Sequence, residues 1–130
     1  MKYIIMVILG LCLLSNTSTA CSQTADGDSE FIADFGDVPL MKGLVELDGE
    51  RVIFDTESGT IAETILVGTL KVTDILEFYS QSLKQLGWEK IEAGHSSKRL
   101  TFVRDRQVLS LRLFDLNGTI NLFVHLEPGG

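Results

Sequence analysis

Apolar and polar residues alternate with a period of two through most of the C-terminal half of the chain. The alternation breaks once, between Thr73 and Leu86, into steps of three and four. In that stretch Ile75, Phe78, Tyr79, Ser82, Leu83 and Leu86 share one face of a helix. Thr73 is placed to cap its start, and Asp74 and Glu77 suit the positive end of the helix dipole. Gly87 falls just beyond the last turn, where a left-handed residue ends a helix. Strands flank this element. Val52-Ile53-Phe54 is followed by the turn-like Glu57-Ser58-Gly59. The run Ile61 to Leu70 then sets Ile61, Glu63, Ile65, Val67 and Thr69 on one face against Ala62, Thr64, Leu66 and Leu70 on the other. Beyond the helix, strands are expected over Trp88 to Ala93, Leu100 to Val103, Val108 to Phe114 and Ile120 to Leu126. Asn117-Gly118 joins the last two, because both central residues of a type I′ turn need φ > 0.

The predicted order is β-β-α-β-β-β-β: an antiparallel sheet with one helix packed on one face, the α+β class. Phe78, Tyr79, Leu83, Leu86 and Trp88 are the expected core between the two layers. One helix leaves a second sheet face, or an edge, available to something else.

The start of the chain has a different pattern. Tyr3 to Leu14 is almost wholly apolar, preceded by Lys2 and followed by the polar run Ser15 to Thr19, then Ala20 and Cys21. A bilayer span needs about 20 apolar residues, so this run is too short and fits the apolar region of a secretory signal. Residues 1–20 are therefore expected to be a signal peptide. Residues 21–37 are expected to form a flexible acidic tether, and Ser22 to Glu30 has almost nothing to bury. A single α+β domain is expected over 38–127, and a frayed end at 128–130. Cys12 would be lost on cleavage, leaving Cys21 as the first residue and the one cysteine of the mature chain, with no internal disulfide partner.

Thr19-Ala20-Cys21 resembles the end of the lipoprotein box of bacterial lipoproteins, although Ser18 stands where such boxes carry an aliphatic residue. The resemblance implies a diacylglyceryl thioether on Cys21, an acylated amine and anchoring to a membrane, facing the periplasm. Several acyl chains, at about 0.8 kcal/mol per buried methylene, anchor stably where one does not. Ser22 in place of Asp tilts the expected address towards the outer membrane. The stretches Asp37 to Leu44 and Phe78-Tyr79 to Trp88 resemble a group of small uncharacterised alphaproteobacterial envelope proteins. That resemblance supports the fold and implies no particular activity.

Charge narrows the partners. From Cys21 to Glu63 there are eleven acids and two bases, and from Thr64 onward seven acids and eight bases. The acidic excess argues against nucleic acid and against broad binding to anionic headgroups. Lys98, Arg99, Arg104, Arg106 and Arg112 nevertheless crowd around one predicted hairpin. They suit a small cationic site for phospholipid headgroups, lipopolysaccharide or an acidic partner, but the preferred reading is a solvated hairpin kept from edge aggregation by charge.

Catalytic and metal patterns are weak. Asp26, Asp28, Glu30, Asp34 and Asp37 fall in an EF-hand-like register, yet Phe31 occupies the position that must be Gly, and an acidic tether is the better reading. His95 and His125 lack the spacing of a metal pair. Ser96 or Ser97 beside His95 is the one candidate nucleophile and base, without the strand-turn-helix elbow a hydrolase uses. The expectation is a lipid-anchored envelope protein acting as a non-catalytic interaction or binding module, with no cofactor and an envelope protein as a possible partner. The alternatives are a carrier of a small apolar ligand between helix and sheet and, less favoured, a small hydrolase.

Overall fold

Seven strands and one helix are present in the computed structural model, which describes residues 30–92 and 97–130. The elements are β1 (Val45–Glu46), β2 (Val52–Thr56), β3 (Gly59–Gly68), α1 (Val72–Gln85), β4 (Glu89–Ile91), β5 (Arg99–Arg104), β6 (Gln107–Leu116) and β7 (Thr119–Pro128). All pair antiparallel in one sheet, in the order β1-β3-β7-β6-β5-β4, with β2 also on β3. The fold is α+β, as the periodicities require. β1, absent from the sequence-based expectation, is only two residues long. It and β2 are two pieces of one edge strand: β1 meets Leu66 and Val67, and β2 meets Gly59 to Glu63. A turn at residues 48–51 interrupts them, with Glu50 N–H donating to the Leu47 carbonyl at 3.3 Å.

Tight turns set the register. Asn117 (φ 56°) and Gly118 (φ 84°) form the expected two-residue link between β6 and β7. Asp105 (φ 46°) and Arg106 (φ 62°) link β5 to β6 in the same left-handed way, without a glycine.

The helix runs Val72–Gln85 and buries Ile75, Tyr79 and Leu83. Its N-cap is Lys71, in extended conformation and without a side-chain capping bond; Thr73, expected there, lies one residue inside the helix. The C-terminus follows the sequence closely. Gly87 has φ +86°, its N–H donates to the Lys84 carbonyl at 3.1 Å, and Trp88 N–H donates to the Leu83 carbonyl at 2.9 Å. That pair of bonds satisfies two carbonyls the helix itself leaves open and turns the chain back onto the sheet.

The core lies between α1 and one sheet face. Leu83, Tyr79 and Trp88 are buried; Phe78 and Leu86 pack against the cluster while half-buried. Phe78 meets Tyr79 edge-on at 5.0 Å. Burial pushes the Tyr79 phenol well up, so it stays neutral. The sheet contributes Ala62, Leu66, Phe102, Leu109, Leu111, Leu122 and Val124, all of one parity.

Two expected boundaries are corrected. Residues 31–37 are not tether: Ile32 and Phe35 are buried in the core beside Val38, and Phe31 bridges Pro39. Two buried side chains suffice to dock the segment, and the four polar or small residues around them, Ala33, Asp34, Gly36 and Asp37, concealed it. Nor is the C-terminus frayed throughout 128–130. Pro128 closes β7, and Gly129 N–H donates to the Arg106 carbonyl at 2.6 Å.

Candidate binding face of the sheet

Because α1 and the segment around Ile32 to Leu44 cover one side of the sheet, every second strand residue faces away from them. The register gives this open face its rows. One runs Val45–Val67–Asn121–Phe114, the next Ile65–Phe123–Arg112–Arg99, the next Val52–Glu63–His125–Ser110. Large apolar side chains stand exposed on it: Val45 at 65%, Phe54 at 58%, Phe114 at 52% and Leu116 at 61%. Val45 and Phe114 share one row with Leu116 beside them, while Phe54, opposite Ile61, lies three rows further along the strands.

His125 is the polar centre of this face. Its Nδ1 lies 2.8 Å from Glu63 Oε1 and its Nε2 3.3 Å from Glu127 Oε2, and its ring stacks on Phe123 at 6.5 Å. Ser110 is its cross-strand neighbour on β6. The row thus carries a carboxylate, a histidine and a serine in the order a hydrolase uses. The geometry departs from that chemistry, since the nitrogen that would take the serine proton faces Glu127 instead. No side-chain hydrogen bond joins Ser110 to His125, and no cluster of three metal-ligating side chains forms among the described residues.

The predicted cationic cluster is split in two. Arg104 leaves it altogether. Its guanidinium donates to both carboxylate oxygens of Asp37, at 2.6 and 2.7 Å, and to the Leu86 carbonyl at 2.8 Å. It also lies 4.3 Å from the centre of the Trp88 ring. The Arg104 hydrogen bonds hold the Asp37 carboxyl below its ordinary range, against the opposing effect of burial. The Trp88 indole N–H, buried and short of a full hydrogen bond, adds a smaller pull in the same direction. Arg106 sits in the β5–β6 turn at the same end of the sheet, beside an open groove of about 520 Å³. Lys98, Arg99 and Arg112 are left together at the other end, around a groove of about 350 Å³ with Phe114 and Leu116. Arg99 and Arg112 are cross-strand partners.

Two acids of the EF-hand-like register are used as arginine partners. Asp37 takes Arg104, and Asp34 lies 3.2 Å from Arg51. Arg51 also grips Glu46, whose carboxyl is thereby held low, and Glu46 accepts a hydrogen bond from the buried Thr64 hydroxyl at 2.8 Å. Asp26 and Asp28 lie outside the described residues, as do Cys21, His95 and Ser96; Ser97 is exposed in the turn before β5.

Sequence reasoning missed the Asp37–Arg104 and Glu63–His125 pairs. The second had a signal: both residues have the parity of the open face, and only the adjacency of β3 and β7 was lacking. The chain matches no family model, no curated protein and no solved structure. No helix among the described residues is long and apolar enough to cross a membrane.

Proposed function

We propose that this chain is an exported envelope protein, tethered to a membrane through lipid on Cys21, that works without catalysis as a binding module. The observation that carries the binding role is the open sheet face, with Val45, Phe54, Phe114 and Leu116 exposed on the side that α1 does not cover. A two-layer domain that needed only to fold would have its second sheet face made polar. The tether reading rests on the apolar run before Thr19-Ala20-Cys21 and on Cys21 being the one cysteine beyond it.

Two experiments test the two halves. Cells fed labelled palmitate should incorporate it into the wild-type chain and not into Cys21→Ser, which should leave the membrane fraction. Absence of label on the wild type removes the tether. For the binding role, a photo-crosslinking residue at Phe54, on the open face, should give defined adducts in intact cells. The same residue at Glu77, on the exposed side of α1, should give none. Equal labelling from both positions, or none from Phe54, rejects the open face as the working surface.

A further inference from the structure

Of the five arginines, Arg106, in the β5–β6 turn at the far end of the sheet, has no ion-pair partner among the described residues, while two others are neutralised. Arg51 sits between Glu46 and Asp34, and Arg104 is clasped by Asp37. Arg99 and Arg112 form no such pair among the described residues, and neither does Lys98. The two arginines stand opposite each other on adjacent strands. The β5–β6 turn closes on the hydrogen-bonded pair Arg104–Gln107, and counting back makes Arg99–Arg112 a non-hydrogen-bonded pair, in which side chains approach closest. Like charges so placed repel. An anion between them reverses the sign of that interaction.

In front of these cations is an apolar tip. Phe114 and Leu116, two residues apart on β6, point to the open side just before the Asn117-Gly118 turn. The intervening Asp115 points the other way and accepts the Gly118 N–H at 2.9 Å. Aromatic and aliphatic side chains at a projecting tip, with lysine and arginine behind them, match the layering of a bilayer surface: acyl chains inward, phosphates at the level of the cations. The open-face acids lie further down the sheet, Glu63 one row and Glu127 two rows beyond Arg112. At physiological salt the screening length is about 8 Å, so the local positive end acts against an anionic surface despite the net charge of the chain, −7.

We propose that the β6–β7 hairpin tip docks on an anionic lipid surface. Phe114 and Leu116 enter the interface, and Lys98, Arg99 and Arg112 meet the headgroup phosphates. The course of the chain agrees with this. Glu30 and Phe31 line a groove with Leu44 and Val45, and Val45 begins the row that ends at Phe114. The body is thus entered at the same end of the sheet as the tip. Glu30 is nine positions beyond Cys21, a reach of about 30 Å when extended. A lipid on Cys21 and the hairpin tip can therefore engage one membrane surface, which deepens the proposed function by naming what part of the open face meets.

The test uses the mature chain, residues 21–130, with Cys21→Ser, so that docking is read without the lipid and without the apolar run of the signal. An environment-sensitive dye is attached at Leu116→Cys or, as a control, at Thr73→Cys on the exposed side of α1. Vesicles of phosphatidylcholine with phosphatidylglycerol should shift the Leu116 dye to the blue and raise its emission several-fold. Phosphatidylcholine alone should not, and the Thr73 dye should stay unchanged with both. Arg99→Gln with Arg112→Gln should abolish the response while leaving Trp88 emission as in the parent, which verifies the fold. A silent Leu116 dye overturns the proposal and leaves an acidic protein as the partner class to pursue. An equal response to neutral vesicles, or one that survives removal of both arginines, overturns the anionic recognition. Palmitate labelling of Cys21 is read separately, so failure of the tether and failure of the docking tip are distinguishable.

Discussion

Replacing Arg104 by methionine removes a charge while keeping an apolar stem over Trp88. It leaves the Asp37 carboxylate, the Leu86 carbonyl and the Trp88 indole face without the guanidinium that joins them. Two limits bracket the effect. Breaking a fully buried pair costs about 3–5 kcal/mol, and an exposed pair contributes about 0–1 kcal/mol. Here the side chains are 22% and 39% exposed, so water recovers part of the loss, and about 2 kcal/mol is expected. For a domain of this size that lowers the melting temperature by about 10 °C. Urea unfolding followed by the emission of Trp88, the sole tryptophan, measures it. The cycle with Asp37→Asn should return a coupling energy of about 1–2 kcal/mol.

The pH dependence has a definite sign. The Asp37 carboxyl is held below its ordinary value of 3.8, chiefly by the Arg104 hydrogen bonds. The unfolded chain therefore binds this proton more readily. The stabilisation is fully present above the ordinary value and is lost as pH falls through the lowered one. The gap between wild type and Arg104→Met should be constant from neutral pH to about pH 5 and narrow below about pH 4. A coupling energy under about 0.5 kcal/mol, or a gap that widens in acid, refutes the view that this clasp fastens residues 31–37 to the body.

Two further predictions concern glycines. Gly87→Val should destabilise by more than about 1 kcal/mol in thermal melts; a β-carbon there meets only Arg104 Cδ at 3.7 Å, so the cost is that of φ +86°. An unchanged melting temperature would contradict the left-handed helix end. Gly68→Ala should act by contact instead, because a β-carbon would lie 2.4 Å from the Gly43 carbonyl oxygen and 2.9 Å from Leu44 Cδ2. Overpacking of this kind costs roughly 1–3 kcal/mol, and denaturant unfolding should read the upper end of that range because backbone must move.

What was legible in the sequence was local. The change of period at Thr73 located the helix, Gly87 its end and Asn117-Gly118 a hairpin, because each depends on residues a few positions apart. What was not legible depends on strand order. β3 leads into α1, which carries the chain to the far edge at β4, and the sheet then returns strand by strand until β7 closes beside β3. That closure sets Glu63 beside His125, 62 residues apart in sequence. It also brings Asp37 to Arg104, 67 residues away. The link from β5 to β6 through Asp105 and Arg106 was legible, but its left-handed conformation was not, since neither residue advertises positive φ as glycine does.

The five basic residues of the predicted cluster show why proximity in sequence misleads about a charged site. β5 carries Arg99 and Arg104 at opposite ends of a six-residue strand, roughly 17 Å apart at the usual rise. Their parity differs too. Arg104 shares the face of the buried Leu100 and Phe102 and is drawn under the helix terminus, where a carboxylate from the N-terminal segment compensates it. Arg99 has the parity of the open face, where the pairing with β6 supplies another arginine in place of an acid. One strand thus presents a satisfied charge to the core side and an unsatisfied one to the outside. The first holds the fold together whatever the surroundings. The second gains its counter-charge only from something the chain meets, and the apolar tip beside it at Phe114 and Leu116 favours a surface that offers hydrocarbon as well as charge.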